Sequence, residues 1–560
     1  MHKITKFAGS LIPVALFVFA SPLLVCAQPS PRTPRGIYAV VAPAKEIETL
    51  RQENPGSTTA QLYEDLANLY SALLGNPAVS GLTLQVHWDE LNPNPPDPPA
   101  NTVTYDWTVV DLAFAAADSW NMQNPSGVPK TIQLIVDPGF QSPQWVLGQI
   151  ASCDALFDKN TNAPPSDCGK VTFKGYSEPT DGNVLPLPWD AVYKNAWQTF
   201  LEALAAKYGS ASGLVSIAVD GPSAASAEIT TASNADANNP QKQFSGGDIS
   251  PNDMWLVLLG FHYPLPLYQG TDLAFIDEWD AAIDMYGTVF SGLTLVATMG
   301  EKLPDFNNAT YPIPTGFGSD CDPTMSCAAE TTILSYFAEP TAGGATNAKA
   351  TQTSSFTASH RNLSLGIKSV KQLSLRTAQL PAPSAQILGG IQFDQSFVQY
   401  PVNQGCTMAF PPDPSELPSP SLPGCSKKDA KLKPKAVPAA CVPAACFAGG
   451  SYPPTLPTTT PFGQIPQGDL IPPEQALYNL LNIYFDGTPA ASSFGGTPGS
   501  TPLNYLQIFA EDIVYATNHA QAPVPVIEKG QSSPVSVTAQ SMLELASQLL
   551  FQIAEPGPNN

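Results

Sequence analysis

The chain has 560 residues and a formal charge of −22 from 25 Lys+Arg against 47 Asp+Glu, with only 13% charged residues and 59 prolines. An acidic balance of that size repels phosphate backbones and anionic headgroups, so nucleic acid is excluded as an expected partner. Few ions and many prolines instead predict long loops solvated by Ser, Thr, Asn and Pro.

Residues 1–27 have the form of a secretory signal, with Lys3 and Lys6 ahead of the apolar run Leu11 to Val25 and small residues before Gln28. A lipid anchor on Cys26 is the rival reading, weakened by the bulk of Val25. No later run is long and apolar enough to span a bilayer, so a secreted or periplasmic protein with no membrane contact after signal removal is expected. Eight cysteines remain beyond Cys26. In an oxidising compartment they read as disulfides, Cys153 with Cys168 and Cys321 with Cys327, with Cys406, Cys425, Cys441 and Cys446 open among three connectivities. No C-x-x-C or H-E-x-x-H motif is present, and Ala163 stands where a calcium loop from Asp158 would need glycine; no metal is expected.

From residue 28 the pattern alternates between periods of 2 and 3.6. Strands are expected at Gly36–Val41, Leu82–Trp88, Thr131–Asp137, Leu214–Asp220, Leu293–Thr298, near Leu363–Ile367, at Ile387–Asp394 and at Tyr505–Phe509. Helices are expected at Thr59–Leu74, Trp107–Trp120, Trp189–Tyr208, Asp272–Phe290, Glu474–Phe485 and Val537–Ile553. Repeated β-α units need parallel strands. The expected fold over residues 28–560 is therefore a single (β/α)8 TIM barrel, with an open doubly wound sheet as the alternative. No G-x-G-x-x-G follows the first strand, so no dinucleotide and no other cofactor is implied. Long insertions, Ser142–Pro188, Thr231–Gln269, Pro304–His360 and a Cys/Pro-rich one at about 400–473, follow strands and so fall on the C-terminal face. The last is read either as a stapled cap or as a bare loop.

Alternate residues of a barrel strand point inward, and those near the carboxyl end reach the mouth. Parity places Thr83, Gln85, His87 and Asp89 inward on the second strand, Gln133 and Asp137 on the third, and Ser216, Ala218 and Asp220 on the fourth. It adds Gln392 and Asp394 on the seventh, and Gln507 with Glu511 on the eighth. Carboxylates alongside Trp88, Phe140, Trp145, Phe393 and Phe509 suit sugars, which need planar faces to stack on and acids to move protons. Parity sets Trp88 opposite to His87, so it reads equally as core.

The order of HWDELNP (His87 to Pro93), TYDWTVVDLAFAAADSWN (Thr104 to Asn121), IVDPGFQSPQW (Ile135 to Trp145) and PWDAVYKNAWQTFLEALAAKYG (Pro188 to Gly209) resembles the clan of barrel glycoside hydrolases that includes the family 42 and family 35 β-galactosidases. The resemblance implies an acid/base carboxylate after the fourth strand and a second at the seventh. The fourth strand ends Val219-Asp220-Gly221-Pro222 without the clan's Asn-Glu pair, and Glu228, six residues past Pro222, matches by region, in a turn also similar to that of β-amylases. Asp394, or Glu511 after the eighth strand, is then the partner, with His87, Asp89, Asp137, Trp145, Asp220, Gln392 and Gln507 holding a carbohydrate. An inactive barrel that binds extracellular or cell-envelope glycans is the alternative; a serine hydrolase is disfavoured because no G-x-S-x-G elbow follows a strand.

Overall fold

The computed structural model describes residues 33–97, 103–154, 167–172, 184–221, 273–299, 333, 336–337, 354–360, 387–393, 396–398, 473–526, 528 and 533–553. In chain order its elements are β1 (Gly36–Val41), α1 (Pro43–Glu53), α2 (Thr59–Gly75), β2 (Val79–His87), α3 (Trp88–Leu91), α4 (Thr108–Gln123), β3 (Thr131–Asp137) and α5 (Gln144–Leu147). There follow β4 (Lys170–Thr172), β5 (Val184–Pro186), α6 (Ala191–Tyr208), β6 (Leu214–Ala218), α7 (Leu273–Val289), β7 (Thr294–Met299), β8 (Ser354–His360) and β9 (Ile387–Phe393). The chain continues with α8 (Pro473–Phe485), β10 (Tyr505–Phe509), α9 (Ala510–Asn518), β11 (Val524–Val526), β12 (Val535–Val537) and α10 (Ala539–Gln552).

The protein is an α/β fold built on a curled parallel sheet. Its strands are hydrogen-bonded in the order β1-β10-β9-β8-β7-β6-β3-β2, and β1 pairs with both β10 and β2, so the ladder closes. Outward side chains such as Ile37, Leu84, Leu134, Ile217, Leu295 and Leu506 meet the helices in one apolar cluster. Full burial contributes about 1.5–3 kcal/mol for each such side chain. The helices begin where the sequence offers caps. Gln61 N–H donates to Thr58 Oγ1 at 3.3 Å to start α2, and Tyr193 N–H donates to Asp190 Oδ1 at 2.9 Å to start α6. The buried residues of α2, Leu62, Leu66, Tyr70, Leu73 and Leu74, follow its helical period.

Inside the ring the residues form tiers. At the amino ends of the strands, Tyr38 and Tyr505 meet edge to face at 6.2 Å with Val215 beside them, and Tyr38 Oη is 2.9 Å from Thr131 Oγ1. Above lies a polar tier in which Gln133 Oε1 accepts from Thr83 Oγ1 at 2.6 Å and from Gln507 Nε2 at 2.8 Å. Ile135, Ala218 and Val296 form a small apolar patch.

Three details differ from the sequence reading. The sixth strand lies at Ser354–His360 rather than near Leu363–Ile367, whose residues fall outside the described set. SSFTASH has little apolar character, and its place is fixed by backbone ladders to β7 and β9 on both sides. Helix α1 was not expected; only Pro43 of it is buried, with Ile47 packed against the core from its half-buried face. The Ser142–Pro188 insertion holds α5 and a β4–β5 antiparallel pair, pinned where Cys153 and Cys168 form a disulfide. The other six cysteines and residues 1–27 lie outside the described residues, and no described helix is long and apolar enough to cross a membrane.

Candidate functional site

Three residues of inward parity lie at or just past the carboxyl ends of the adjacent strands β2, β3 and β6. In the β2–β3 register His87 stands opposite Asp137. The β3–β6 pairing runs to Leu134↔Ile217; three residues further on, past Val219, whose N–H donates to Val296 O of β7 at 2.8 Å, Asp220 comes near enough to Asp137 to feel its charge. Parity therefore points His87, Asp137 and Asp220 into the same space.

Asp220 is 0% exposed, and among the described residues neither of its carboxyl oxygens has a hydrogen-bond partner. Burial first, and the Asp137 charge second, push its pKa well above the usual carboxylate range, so the protonated form is favoured. Tyr193 of α6 and Tyr286 of α7 flank it. Both hydroxyls are raised chiefly by burial and then by the Asp220 charge. The Cα of Gly221 lies against Trp279; a Cβ there would come within 2.6 Å of the ring, so this glycine lets α7 close over the strand end. Asp137, 1% exposed, accepts from Gln85 Nε2 at 2.8 Å.

The rim is more open. His87 Nδ1 is 3.2 Å from Glu90 Oε1, with the two side chains 33% and 27% exposed. Burial is the largest influence on His87 and alone would lower its pKa. The Glu90 hydrogen bond and the charges of Glu90, Asp137 and Asp89 overcome it and raise the imidazole. Asp89 is raised by burial, with His87 acting in the opposite sense.

The remaining expected residues are distributed as follows. Gln507 lies in the enclosed polar tier, and Gln392 is its register partner on β9, half-buried. Trp145 is half-buried and donates Nε1–H to Asn92 O at 3.0 Å. Glu511, half-buried in the first turn of α9, acts electrostatically on Glu46 and Asp512. Glu228 and Asp394 lie outside the described residues. Two of the candidate stacking rings belong to the core: Trp88 packs on Trp197 at 4.9 Å and on Phe200 at 5.9 Å, and Phe393 packs on Tyr484 at 5.1 Å. Among the described residues no group of three or more His, Cys, Asp or Glu side chains is arranged to hold a metal ion.

Sequence reasoning did not single out Glu90, Tyr193 or Tyr286. Glu90 had a usable signal, three residues after His87 at the start of a helical turn, where its Oε2 lies 3.5 Å from the His87 backbone N–H. The tyrosines read as members of apolar helix faces, which they are; only packing brings their hydroxyl ends to Asp220.

No protein-family model and no curated protein matches this sequence. Among solved structures, the catalytic domain of a β-amylase from Paenibacillus polymyxa is similar with a TM-score of 0.33 and 10% identity over 65% of this chain and 87% of that one. A cold-adapted β-galactosidase from Rahnella sp. R3 is similar with a TM-score of 0.31 and 9% identity, over 93% of this chain and 57% of that one.

Proposed function

We propose that the protein is an exported (β/α)8 barrel that hydrolyses a glycosidic bond of an oligo- or polysaccharide by paired-carboxylate acid/base chemistry. One observation carries the reading: Asp220, just past a strand's carboxyl end, is buried near a second carboxylate and has no hydrogen-bond partner among the described residues. Such an environment favours the protonated acid, which can deliver its proton to a leaving glycosidic oxygen. Asp137 supplies the negative charge that holds that proton. On the sequence resemblance, Glu228 in the segment after Asp220 is the other candidate donor, and Asp394 or Glu511 is the carboxylate that serves the anomeric carbon. A separation of about 5 Å between the working pair gives retention, and about 6.5–9.5 Å gives inversion. His87, Asp89, Gln392 and Trp145 would contact the sugar, with Gln507 supporting them from below. Export is supported by the signal-like residues 1–27 and by the Cys153–Cys168 disulfide, which persists in oxidising compartments.

The full enclosure of Asp220 favours a second reading, a barrel that grips a glycan without cleaving it. A chromogenic glycoside panel with wild type, Asp220→Asn and Glu228→Gln separates the two, run beside calorimetric binding of soluble oligosaccharides. Hydrolysis lost on either substitution identifies the donor. Hydrolysis unaffected by both overturns the acid assignment, and saturable binding without any hydrolysis establishes the second reading.

A further inference from the structure

Glutamines of inward parity stand on β2, β3 and β10, and their contacts decide which of them can meet a ligand. Gln133 and Gln507 are 2% and 3% exposed, and they are engaged with one another and with Thr83 in the enclosed polar tier. Gln85 lies two residues beyond Thr83 along β2, about 6–7 Å nearer the mouth, and is half-buried. Its Nε2 donates to Asp137 Oδ2 at 2.8 Å, and among the described residues this is the side chain's one hydrogen bond. We propose that Gln85 is a specificity-determining residue that reads one hydroxyl of a carbohydrate through its Oε1, held in that pose by Asp137. The inference rests on a carbohydrate reaching this mouth, which hydrolysis and binding without cleavage both require.

The pose follows from what each partner can do. A carboxylate oxygen only accepts, so the amide turns its NH2 toward Asp137 and its carbonyl away from that contact. Gln85 stands opposite Ile135 in the β2–β3 register, and Ile135 is buried with Ala218 and Val296, so that part of the wall has no side-chain donor for the carbonyl. An unanchored glutamine offers donor and acceptor in either orientation and so separates few ligands. Anchored at nitrogen, Gln85 offers an acceptor alone, with its rotamer already fixed before a ligand arrives. A hydroxyl at that point is matched. An analogue without it leaves the amide oxygen unpaired and is rejected.

The test uses the methyl β-glycosides of glucose, galactose, mannose and xylose with their singly deoxygenated analogues, and reads binding by calorimetry. Wild type is expected to bind at least one parent glycoside and to bind one of its deoxy analogues ~3–10-fold more weakly, the effect of one neutral hydrogen bond. Gln85→Leu should bind the parent as weakly as wild type binds that analogue and should no longer separate the two. Gln85→Glu should keep the preference, because adjacent carboxyl groups share one proton, which restores the anchor and leaves an oxygen facing the mouth. The exposed Glu202→Gln should match wild type throughout. Discrimination kept in Gln85→Leu, or lost equally in Gln85→Leu and Gln85→Glu, overturns the assignment and leaves the carbohydrate reading standing. If wild type binds no parent glycoside, the assignment falls, and the chromogenic panel with the oligosaccharide titrations decides separately whether the carbohydrate reading falls with it.

Discussion

Asp220 is buried near Asp137, whose charge adds to the effect of burial on its carboxyl, and among the described residues neither carboxyl oxygen of Asp220 has a hydrogen-bond partner. The folded state holds a proton on Asp220 that the unfolded chain releases above its ordinary pKa near 3.9. Its contribution to stability is therefore complete below that value and declines as pH rises toward the raised folded pKa, by about 1.4 kcal/mol per pH unit. Asp220→Asn mimics the protonated acid and removes the decline. Denaturant melts from pH 4 to 8 should show the variant gaining on wild type as pH rises; a constant difference would mean that Asp220 ionises freely.

Asp512 is a second buried acid of different character. Its carboxylate accepts from Ser396 Oγ and from the backbone N–H groups of Phe397 at 3.1 Å and Val398 at 3.2 Å, which ties the turn beyond β9 to α9. Burial raises its pKa to about 7 against the opposing pull of these donors. Ser396→Ala removes one donor to a buried charge and should cost about 1.5–3 kcal/mol above pH 7. The cost should be smaller at pH 5, where the carboxyl is protonated; equal unfolding midpoint losses at both pH values would refute this.

Lys130 is buried at the opposite end of the barrel, where its ammonium reaches the carbonyls of Asn76 and Val79 and lies 4.4 Å from the centre of the Trp120 ring. Burial lowers its pKa to about 8. Because the folded value is depressed, the associated stability is present above the unfolded pKa near 10.4 and is lost as pH falls through 8, a swing of about 3 kcal/mol. Lys130→Met should flatten the rise in stability between pH 8 and 10 seen in wild type. Parallel slopes for the two proteins would show that the ammonium is adequately compensated by its carbonyl partners.

Close backbone approach at two strand glycines gives a prediction free of charge. A Cβ on Gly81 would lie 2.0 Å from Thr131 O, and one on Gly390 would lie 2.2 Å from the Tyr505 ring. Both neighbours are fixed, the first as backbone and the second as a fully buried ring in contact with Tyr38. Gly81→Ala and Gly390→Ala should each cost about 1–3 kcal/mol or more through overpacking. Melting temperatures at wild-type level would show that the barrel interior relaxes far more easily than its packing implies.

Period-2 and period-3.6 patterning is a local property, so the amino-acid order alone marked the alternation of strands and helices and the inward parity of His87, Asp137, Asp220 and Gln507. Weakly patterned segments gave no such signal. SSFTASH became a strand through ladders on both sides, and Pro43–Glu53 became a helix with almost nothing buried. Parity could also assign Trp88 to the face opposite His87, but only packing against Trp197 and Phe200 decided that it serves the core. The candidate site divides in the same way. Its carboxylates were legible because a strand end exposes its parity in the sequence. The nearness of His87, Asp137 and Asp220 depends on how strands far apart in the chain come side by side, and the approach of Tyr193 and Tyr286 depends on how two helices dock. Those are properties of long-range hydrogen bonding and burial, which exist only once the sheet has closed.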